Sequence, residues 1–280
     1  MATTLQTYIS FCRQLLHDAA GNFWSDTELT DYINQGRSRV AADTGCSRSL
    51  QSITLNVLSC TGTGSGSNTI TGVNPAPDQT WIGSSILGSG LTGIVSSNPI
   101  VQTVTGTTIT LSGTAASGAL TFTYYQEAYP FTDVPVPTGT EIIDIANISA
   151  IWGNSRYALQ YKEWSVYNAM MRSYVAFQQR PVVYSVYGQN TVFIGPIVDQ
   201  QYVTEWDCVL SPAPLVAATD VETIVYPYTE PVPFYACYLA KIKDSSWDEA
   251  RVFEEQYLGK IRHAIAASGM RRLPNVYAGM

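Results

Sequence analysis

From Gln51 to Gln126 the chain carries a single formal charge, Asp78, and this run of Ser, Thr, Gly and Val lies between two segments with ordinary charge and helical patterning. A soluble surface usually keeps about a quarter of its residues charged. A segment this poor in charge either hides much of itself against neighbours or works where charge would hinder. It marks an inserted β-module and points towards assembly ahead of catalysis.

With 280 residues and 45% hydrophobic composition, the chain can bury a sizeable core as one large domain or two or three small modules. No window approaches the roughly 18 to 20 consecutive apolar residues of a membrane-spanning helix. Met1 to Leu16 lacks the basic start and apolar run of a secretory signal, so the expectation is a soluble protein without a membrane span. Five cysteines (Cys12, Cys46, Cys60, Cys208, Cys237) are an odd number without a CxxC pair. That excludes a complete disulfide framework, disfavours zinc and suits a reducing compartment. A net charge of -7 argues against wrapping nucleic acid, which relies on Lys and Arg neutralising phosphates, but is compatible with DNA passing nearby.

Leu5, Tyr8, Ile9, Cys12, Leu15, Leu16 and Ala19 recur at spacings of three and four, predicting a helix that ends near Gly21. In Trp24-Ser25-Asp26-Thr27-Glu28-Leu29, Ser25 is placed to cap the Glu28 amide, Glu28 to reach back, and Trp24 to touch Leu29: a capping box with a hydrophobic staple. The second helix is predicted from Asp26 to about Asp43, burying Leu29, Tyr32, Ile33, Gly36 and Val40, with Gly45 as its stop.

After Leu50 the period changes to two, with Ile53, Leu55 and Val57 alternating with polar residues as in a half-buried strand. Thr61 to Asn68 reads as a Gly- and Ser-rich loop. Short strands follow at Trp81-Ile82, Gly93 to Val95, Ile100 to Val104, Thr107 to Leu111 and Leu120 to Tyr125, which together suit a small sandwich or barrel. Pro130, Pro135 and Pro137 mark a linker back to the body. Beyond it come a strand at Glu141 to Trp152, a helix at Glu163 to Val175, a hairpin of Val182 to Tyr187 with Thr191 to Ile194, and a strand at Tyr202 to Leu210. Helices are predicted from Pro231 to Lys243 and again after a second capping box at Ser246 to Glu249, with Ala250, Phe253, Tyr257, Ile261, Ala264 and Ile265 on the buried stripe. Met270 to Met280, containing Pro274, is a tail.

The chemistry-bearing residues are sparse. His17 and His263 stand apart from any nucleophile elbow or HExxH spacing, no GK[ST] follows the glycines of 62–66, and the adjacent acids Asp248-Glu249 and Glu254-Glu255 point to different sides of a helix. No catalytic residue, metal site or cofactor is assigned. Between Asp199 and Glu230 the chain has six acids (Asp199, Glu205, Asp207, Asp220, Glu222, Glu230) and no Lys or Arg. Multiplied by the symmetry of a ring, they would make an acidic channel lining that repels DNA phosphates. In the tail, Arg271 and Arg272 followed by Leu273, Val276 and Tyr277 combine steering charge with apolar anchors for a partner's groove.

The stretch Trp24-Ser25-Asp26-Thr27-Glu28-Leu29-Thr30-Asp31-Tyr32-Ile33-Asn34-Gln35-Gly36, continuing to Val40-Ala41-Ala42-Asp43-Thr44, resembles the opening helical hairpin of head-to-tail adaptor (connector) proteins of tailed bacteriophages. Pro181 to Tyr184, Thr191 to Pro196, Tyr202 to Trp206 and Ala250 to Tyr257 look like the body of that family, and Ile109 to Gly118 is similar to small β-modules of phage structural proteins. The resemblance implies a non-enzymatic virion protein assembled in the host cytoplasm. It would be one subunit of a homo-oligomeric ring in the neck, usually dodecameric in such families, below the portal protein and above a tail nozzle, tube or fibre protein. Viral DNA would pass through its channel without sequence-specific binding, and the tail from Arg271 to Met280 would dock on the portal. The resulting expectation is an α+β fold. A helical hairpin (1–50) and the remainder of the body (127–267), with its antiparallel sheet and C-terminal helices, would carry the β-sandwich or barrel insert (51–126) and end in a docking tail (268–280). Two alternatives stand beside it: a carbohydrate- or receptor-binding tail module that exposes Trp81 and Tyr124 for sugar stacking, and a tail-associated cell-wall hydrolase that recruits Glu127, Glu141 or Asp144.

Overall fold

The structure, a computed structural model, describes residues 3–93, 99–173 and 178–267, with the backbone alone for 171–173. The chain divides into two compact units. One holds Met1–Ser49, Val136–Ile145 and Cys208–Met280, the other Leu50–Pro135 and Ala146–Asp207. The fold is α+β, as the change of hydrophobic period predicts. Residues 146–207, grouped from sequence with the helical body, fall instead in the second unit with the insert.

In the first unit, helices α1 (Leu5–Leu15), α2 (Asp26–Thr44), α4 (Val232–Lys243) and α5 (Trp247–Ala267) bury their apolar stripes against one another. Leu5, Ile9, Cys12, Leu29, Ile33, Val40, Ala236, Cys237, Tyr257 and Ile261 form the common core. The start of α2 follows from local chemistry. The Ser25 hydroxyl accepts the Glu28 amide at 3.2 Å, and Trp24 and Leu29 are both buried in that core. Only half of the expected capping box forms, because the Glu28 carboxylate is taken by the Tyr32 hydroxyl and by Lys243 of α4. Gly45, at φ 61°, ends the helix in the left-handed conformation that glycine adopts without steric cost. At the head of α5 the Ser246 hydroxyl turns back to the Asp244 carboxylate and Glu249 pairs with Lys241.

The first helix stops sooner than its periodicity suggests. Leu16 is its C-cap, His17 turns to φ 56°, and the Asp18 amide bonds back to the Arg13 carbonyl, which leaves Ala19 exposed. Its N-terminus is a capping box that periodicity does not reveal: the side chains of Thr4 and Thr7 each accept the other's backbone amide.

In the second unit, strands β2 (Val57–Ser65), β3 (Thr69–Asn74), β4 (Ile86–Gly88), β6 (Val101–Thr105), β7 (Thr108–Leu111) and β9 (Ser117–Tyr125) form a six-stranded sheet in the order β4-β9-β2-β3-β7-β6. Its two edges come together at one end. Ser85 bridges Ile100, the Ile86 amide reaches the Pro99 carbonyl, and the Val101 amide reaches the Ser84 carbonyl. The sheet thus curls around Cys60, Ile70, Val73, Ile86, Ile109 and Phe122, in keeping with the expected barrel-like insert. A small pair, β5 (Leu91–Thr92) with β8 (Thr114–Ala115), lies outside that sheet.

Two sequence expectations change here. Thr61 to Ser65 is strand, not loop. A Cβ on Gly64 would lie 2.0 Å from the Ala116 carbonyl oxygen, so glycine is there for close approach of two backbones. Trp81-Ile82 is not a strand either. Gln79–Trp81 forms a 3-10 turn capped by Asp78, whose carboxylate accepts the Thr80 amide at 2.8 Å, and the turn drives the Trp81 indole into the core.

The other strands make two four-stranded sheets. One has the order β1-β16-β11-β12, from β1 (Arg48–Leu55), β11 (Glu141–Trp152), β12 (Ser155–Ala158) and β16 (Tyr202–Ser211). The other has the order β10-β15-β14-β13, from β10 (Ala128–Pro130), β13 (Gln160–Tyr161), β14 (Val183–Tyr187) and β15 (Thr191–Gly195). The hairpin β14–β15 forms as predicted, with Tyr187 opposite Thr191. Helix α3 is described from Trp164 to Ser173, and its predicted last residues Tyr174 and Val175, like Val95 of the predicted strand at 93–95, lie outside the described residues.

The two kinds of glycine predict opposite outcomes. Gly64→Ala must displace a strand backbone and is expected to destabilise the module by at least about 1–3 kcal/mol, the usual range for overpacking. Gly259 sits in α5 with no atom within 4 Å of the position a methyl group would take, and Gly259→Ala is expected to stabilise by up to about 1 kcal/mol. Denaturant unfolding of the two variants against the parent chain checks both.

Candidate functional site

The acids singled out from sequence do not form one surface. Glu222 is a correction: its side chain is 1% exposed and grips Arg37 of α2, which is 0% exposed, through Nε–Oε2 and Nη2–Oε1 bonds of 2.8 Å each. A carboxylate buried this way within the subunit cannot line a channel. Every polar edge of the pair is used. Arg37 Nη1 donates to the Ala213 carbonyl and to Asn34 Oδ1, while Glu222 accepts the Tyr8 hydroxyl at 3.0 Å and the amides of Thr223 and Ile224. Burial, the Glu222 charge and this hydrogen bond together push the Tyr8 phenol far above its ordinary value.

The segment from Ala213 to Glu230 is thereby fastened to α1 and α2. Asn34 and Leu215 exchange two bonds of 2.9 Å, side-chain amide to carbonyl and backbone amide to side-chain oxygen. Leu5 and Gln6 donate their amides to the carbonyls of Asp220 and Ala218. The Asp220 carboxylate accepts the amides of Val216 and Ala217, which hold its pKa below the ordinary value. Glu230 pairs with Lys260 of α5 at 2.9 Å, and that ammonium lowers its pKa against the opposing effect of burial.

In the second unit, Glu205 on β16 pairs with Arg156 of β12 at 3.1 Å. Asp207 lies two residues further along the same strand, on the same face. Asp199 is exposed and accepts the Tyr202 hydroxyl at 2.8 Å. The tail residues Arg271, Arg272, Leu273, Val276 and Tyr277 lie outside the described residues.

Trp81 and Tyr124 are also a correction. They are 3% and 1% exposed and stack face to face, ring centroids 3.9 Å apart, as core residues of the curled sheet rather than an open platform for a sugar. Of the carboxylates considered for hydrolysis, Glu127 accepts the Ser85 amide, and Glu141 and Asp144 are exposed on β11. Among the described residues no group of three or more His, Cys, Asp or Glu is placed to hold a metal ion, and no helix is long and apolar enough to cross a membrane. All five cysteines are thiols. Cys12 on α1 and Cys237 on α4 each point at a carbonyl of the other helix's segment, Pro233 and Cys12, at 3.8 Å.

One surface feature has almost no signature in the sequence. Phe23 is 79% exposed, yet the loop that carries it is built rigidly from below. The buried Asp18 carboxylate accepts the amides of Asn22 (2.8 Å), Phe23 (3.2 Å) and Trp24 (3.2 Å). Arg13 ties the loop's two ends, donating to the Asp18 carbonyl and carboxylate, to the Trp24 carbonyl and to Asp26. Gly21 at φ 69° leaves room for that guanidinium, which a Cβ would approach to 2.8 Å. The one sequence signal is an acid and an arginine five residues apart around a helix end. Beside the loop, Lys241 lies over the Trp24 ring at 5.6 Å, and Lys243, His17 and Phe23 share a shallow cleft with it.

Near the starts of α1 and α4 is an apolar cleft of about 280 Å³, lined by Thr7, Tyr8, Phe11, Pro233 and Phe234 together with Glu230 and Lys260. Phe11 and Phe234 meet edge to face with centroids 6.1 Å apart, and Phe11 remains 39% exposed.

Removing one partner of the buried ion pair should be severe. Arg37→Met or Glu222→Leu alone strands a charge in the core and is expected to cost about 3–5 kcal/mol, whereas the double variant recovers most of that loss. A double-mutant cycle by chemical denaturation measures it. The Asp18 loop adds a pH signature. Burial raises its pKa, but the amides of Trp24, Asn22 and Phe23, with Arg13, outweigh burial and hold it below the ordinary carboxyl value. Its stabilising contribution is therefore present above the unfolded-state value of about 4 and is lost as the pH falls through the lowered folded value. Asp18→Asn should reproduce the acid state at neutral pH, seen as faster hydrogen exchange at the amides of Asn22, Phe23 and Trp24.

No family profile matches this chain and no curated protein matches it in sequence, so its function has to be argued from its own residues.

Proposed function

We propose that this chain is a structural subunit of a head-to-tail adaptor ring, joining the portal of a tailed phage to its tail and extending the DNA channel. The observation that carries the reading is the helical unit. The hairpin α1–α2, whose sequence bears the resemblance, packs with α4 and α5 from the other end of the chain, and a charge-poor, curled β-module is inserted between them. Such an architecture brings helices from the two halves of the chain into one unit and gives the insert freedom to vary with its partner. Several of the described charged side chains hold loops: Arg37 with Glu222, Arg13 with Asp18, and Asp220 on its own turn. Fixed loops and anchored segments are what a ring subunit needs to present repeatable surfaces to neighbours.

In this reading Asp199, Glu205, Asp207, Asp220 and Glu230, without the buried Glu222, are the acids that would face passing DNA, Glu205 and Glu230 each beside a cation partner, and the segment from Arg271 to Met280 docks on the portal. A second reading, a saccharide- or receptor-binding tail module, draws support from a cleft of about 510 Å³ in the second unit. Its lining includes Asn56, Asp78, Thr80, Gln126 and Asp133, polar groups of the kind that bind sugar hydroxyls.

Mixing the purified chain with its cognate portal ring, with and without deletion of Arg271 to Met280, decides between them by particle mass and images. Tail-dependent assembly of a ring on the portal is the expected result. A persistent monomer with both forms, together with binding of the full chain to host surface polysaccharide, would replace the adaptor by the tail module.

A further inference from the structure

We propose that neighbouring subunits interlock through the Phe23 loop, its ring entering the apolar cleft lined by Phe11, Pro233 and Phe234 of a second copy of this chain. The proposal rests on the ring reading and names the contact that would close it.

Three observations meet in it. First, Phe23 is 79% exposed on a loop that Asp18 and Arg13 hold by seven hydrogen bonds to neighbouring groups, so its ring is displayed with little conformational freedom left to lose on binding. Rigid aromatic anchors entering pockets are the commonest hot spots of protein interfaces. Second, the apolar cleft of about 280 Å³ has room for one aromatic side chain, and its walls are Phe11, Pro233 and Phe234, with an edge-to-face pair already formed there.

Third, the two features lie at opposite ends of the same pair of helices. Phe23 follows the C-terminal end of α1 and lies beside Lys241 and Lys243 at the C-terminal end of α4, whereas the cleft is lined by the first two turns of α1 and the first turn of α4. Along the α4 axis the cleft's Phe234 and the knob's neighbour Lys241 are seven residues apart, about 10 Å at 1.5 Å per residue. A knob at one end and a hole at the other cannot satisfy each other within one molecule. They join copies head to tail, the heterologous arrangement from which closed rings are made.

The test is a photo-crosslink in the full chain. A benzophenone amino acid replaces Phe23, the chain is assembled on the cognate portal ring, and the irradiated particles are mapped by peptide mass spectrometry. Adducts between residue 23 of one copy and the peptides containing Phe11 or Phe234 of another are the expected outcome. Rings in the images whose adducts go to the portal, to other peptides or nowhere would overturn the interlock and leave the adaptor reading standing. If no ring assembles, both fall. Alongside, Phe23→Ala should raise the concentration needed for assembly by about tenfold or more with an unchanged unfolding midpoint, and Phe23→Trp should keep assembly near the parent level. Equal assembly of Phe23→Ala and the parent would also overturn it.

Discussion

The ion pair between Arg37 and Glu222 fastens the segment from Ala213 to Glu230 to helices α1 and α2 within the first unit. Both side chains are out of water, so each would be prohibitively costly alone, and their full set of partners is what makes them tolerable. Helix α2 supplies the guanidinium, α1 supplies the Tyr8 hydroxyl, and a segment almost two hundred residues away supplies the carboxylate. An apolar cluster of the same volume would pack as well, but it would tolerate sliding. A bidentate pair fixes register, because one residue's displacement strands two charges.

The same device recurs at the turn between α1 and α2. Periodicity alone would run α1 on to about Gly21, since Leu15, Leu16 and Ala19 continue its apolar spacing. Asp18 competes for the chain by offering a carboxylate to three amides that no helix would satisfy, and Arg13 neutralises it. Local polar chemistry ends the helix, reverses the chain and leaves Phe23 facing solvent. A large exposed aromatic on a freely moving loop would contribute little to recognition. On a loop braced by a buried acid, most of the ordering cost is met during folding.

Much of this architecture is legible in the sequence. Strong periodicity marks α2, α4 and α5, whose starts fall within about one residue of expectation, and alternation with Gly-Gln-Asn at its turn marks the hairpin β14–β15. What stays hidden depends on side chains meeting across long separations. Arg37 falls on the buried stripe of α2, where hydrophobicity picks out Ile33, Gly36 and Val40 and passes over a cation. Glu222 looks like any acid in an acidic run until its partner is known. Trp81 beside Ile82 reads as strand, and only the Asp78 cap and the Tyr124 ring waiting opposite turn it into a buried corner. The acids of 199–230 are neighbours in sequence, a poor guide where one lies in a core, one caps its own turn and two are paired with cations from other elements.

The absence of charge in the insert has a structural cause that does not require the whole module to be covered. Its backbones pack closely enough that Gly64 of the six-stranded sheet meets the Ala116 carbonyl and Gly113 meets the Thr92 carbonyl of the small β5–β8 pair, either of which a Cβ would approach to within about 2.1 Å. Where backbones come this close, the outward positions favour short side chains that satisfy themselves locally. Ser65 shares a bond of 2.6 Å with Ser67, and the Thr71 hydroxyl donates to the Thr63 carbonyl across the β2–β3 pair. Hydroxyls hydrate such a surface without long side chains or net charge. The result is a small, nearly neutral body that neither attracts nor repels a charged neighbour. The electrostatic character of the protein is left to the helical unit and to β16.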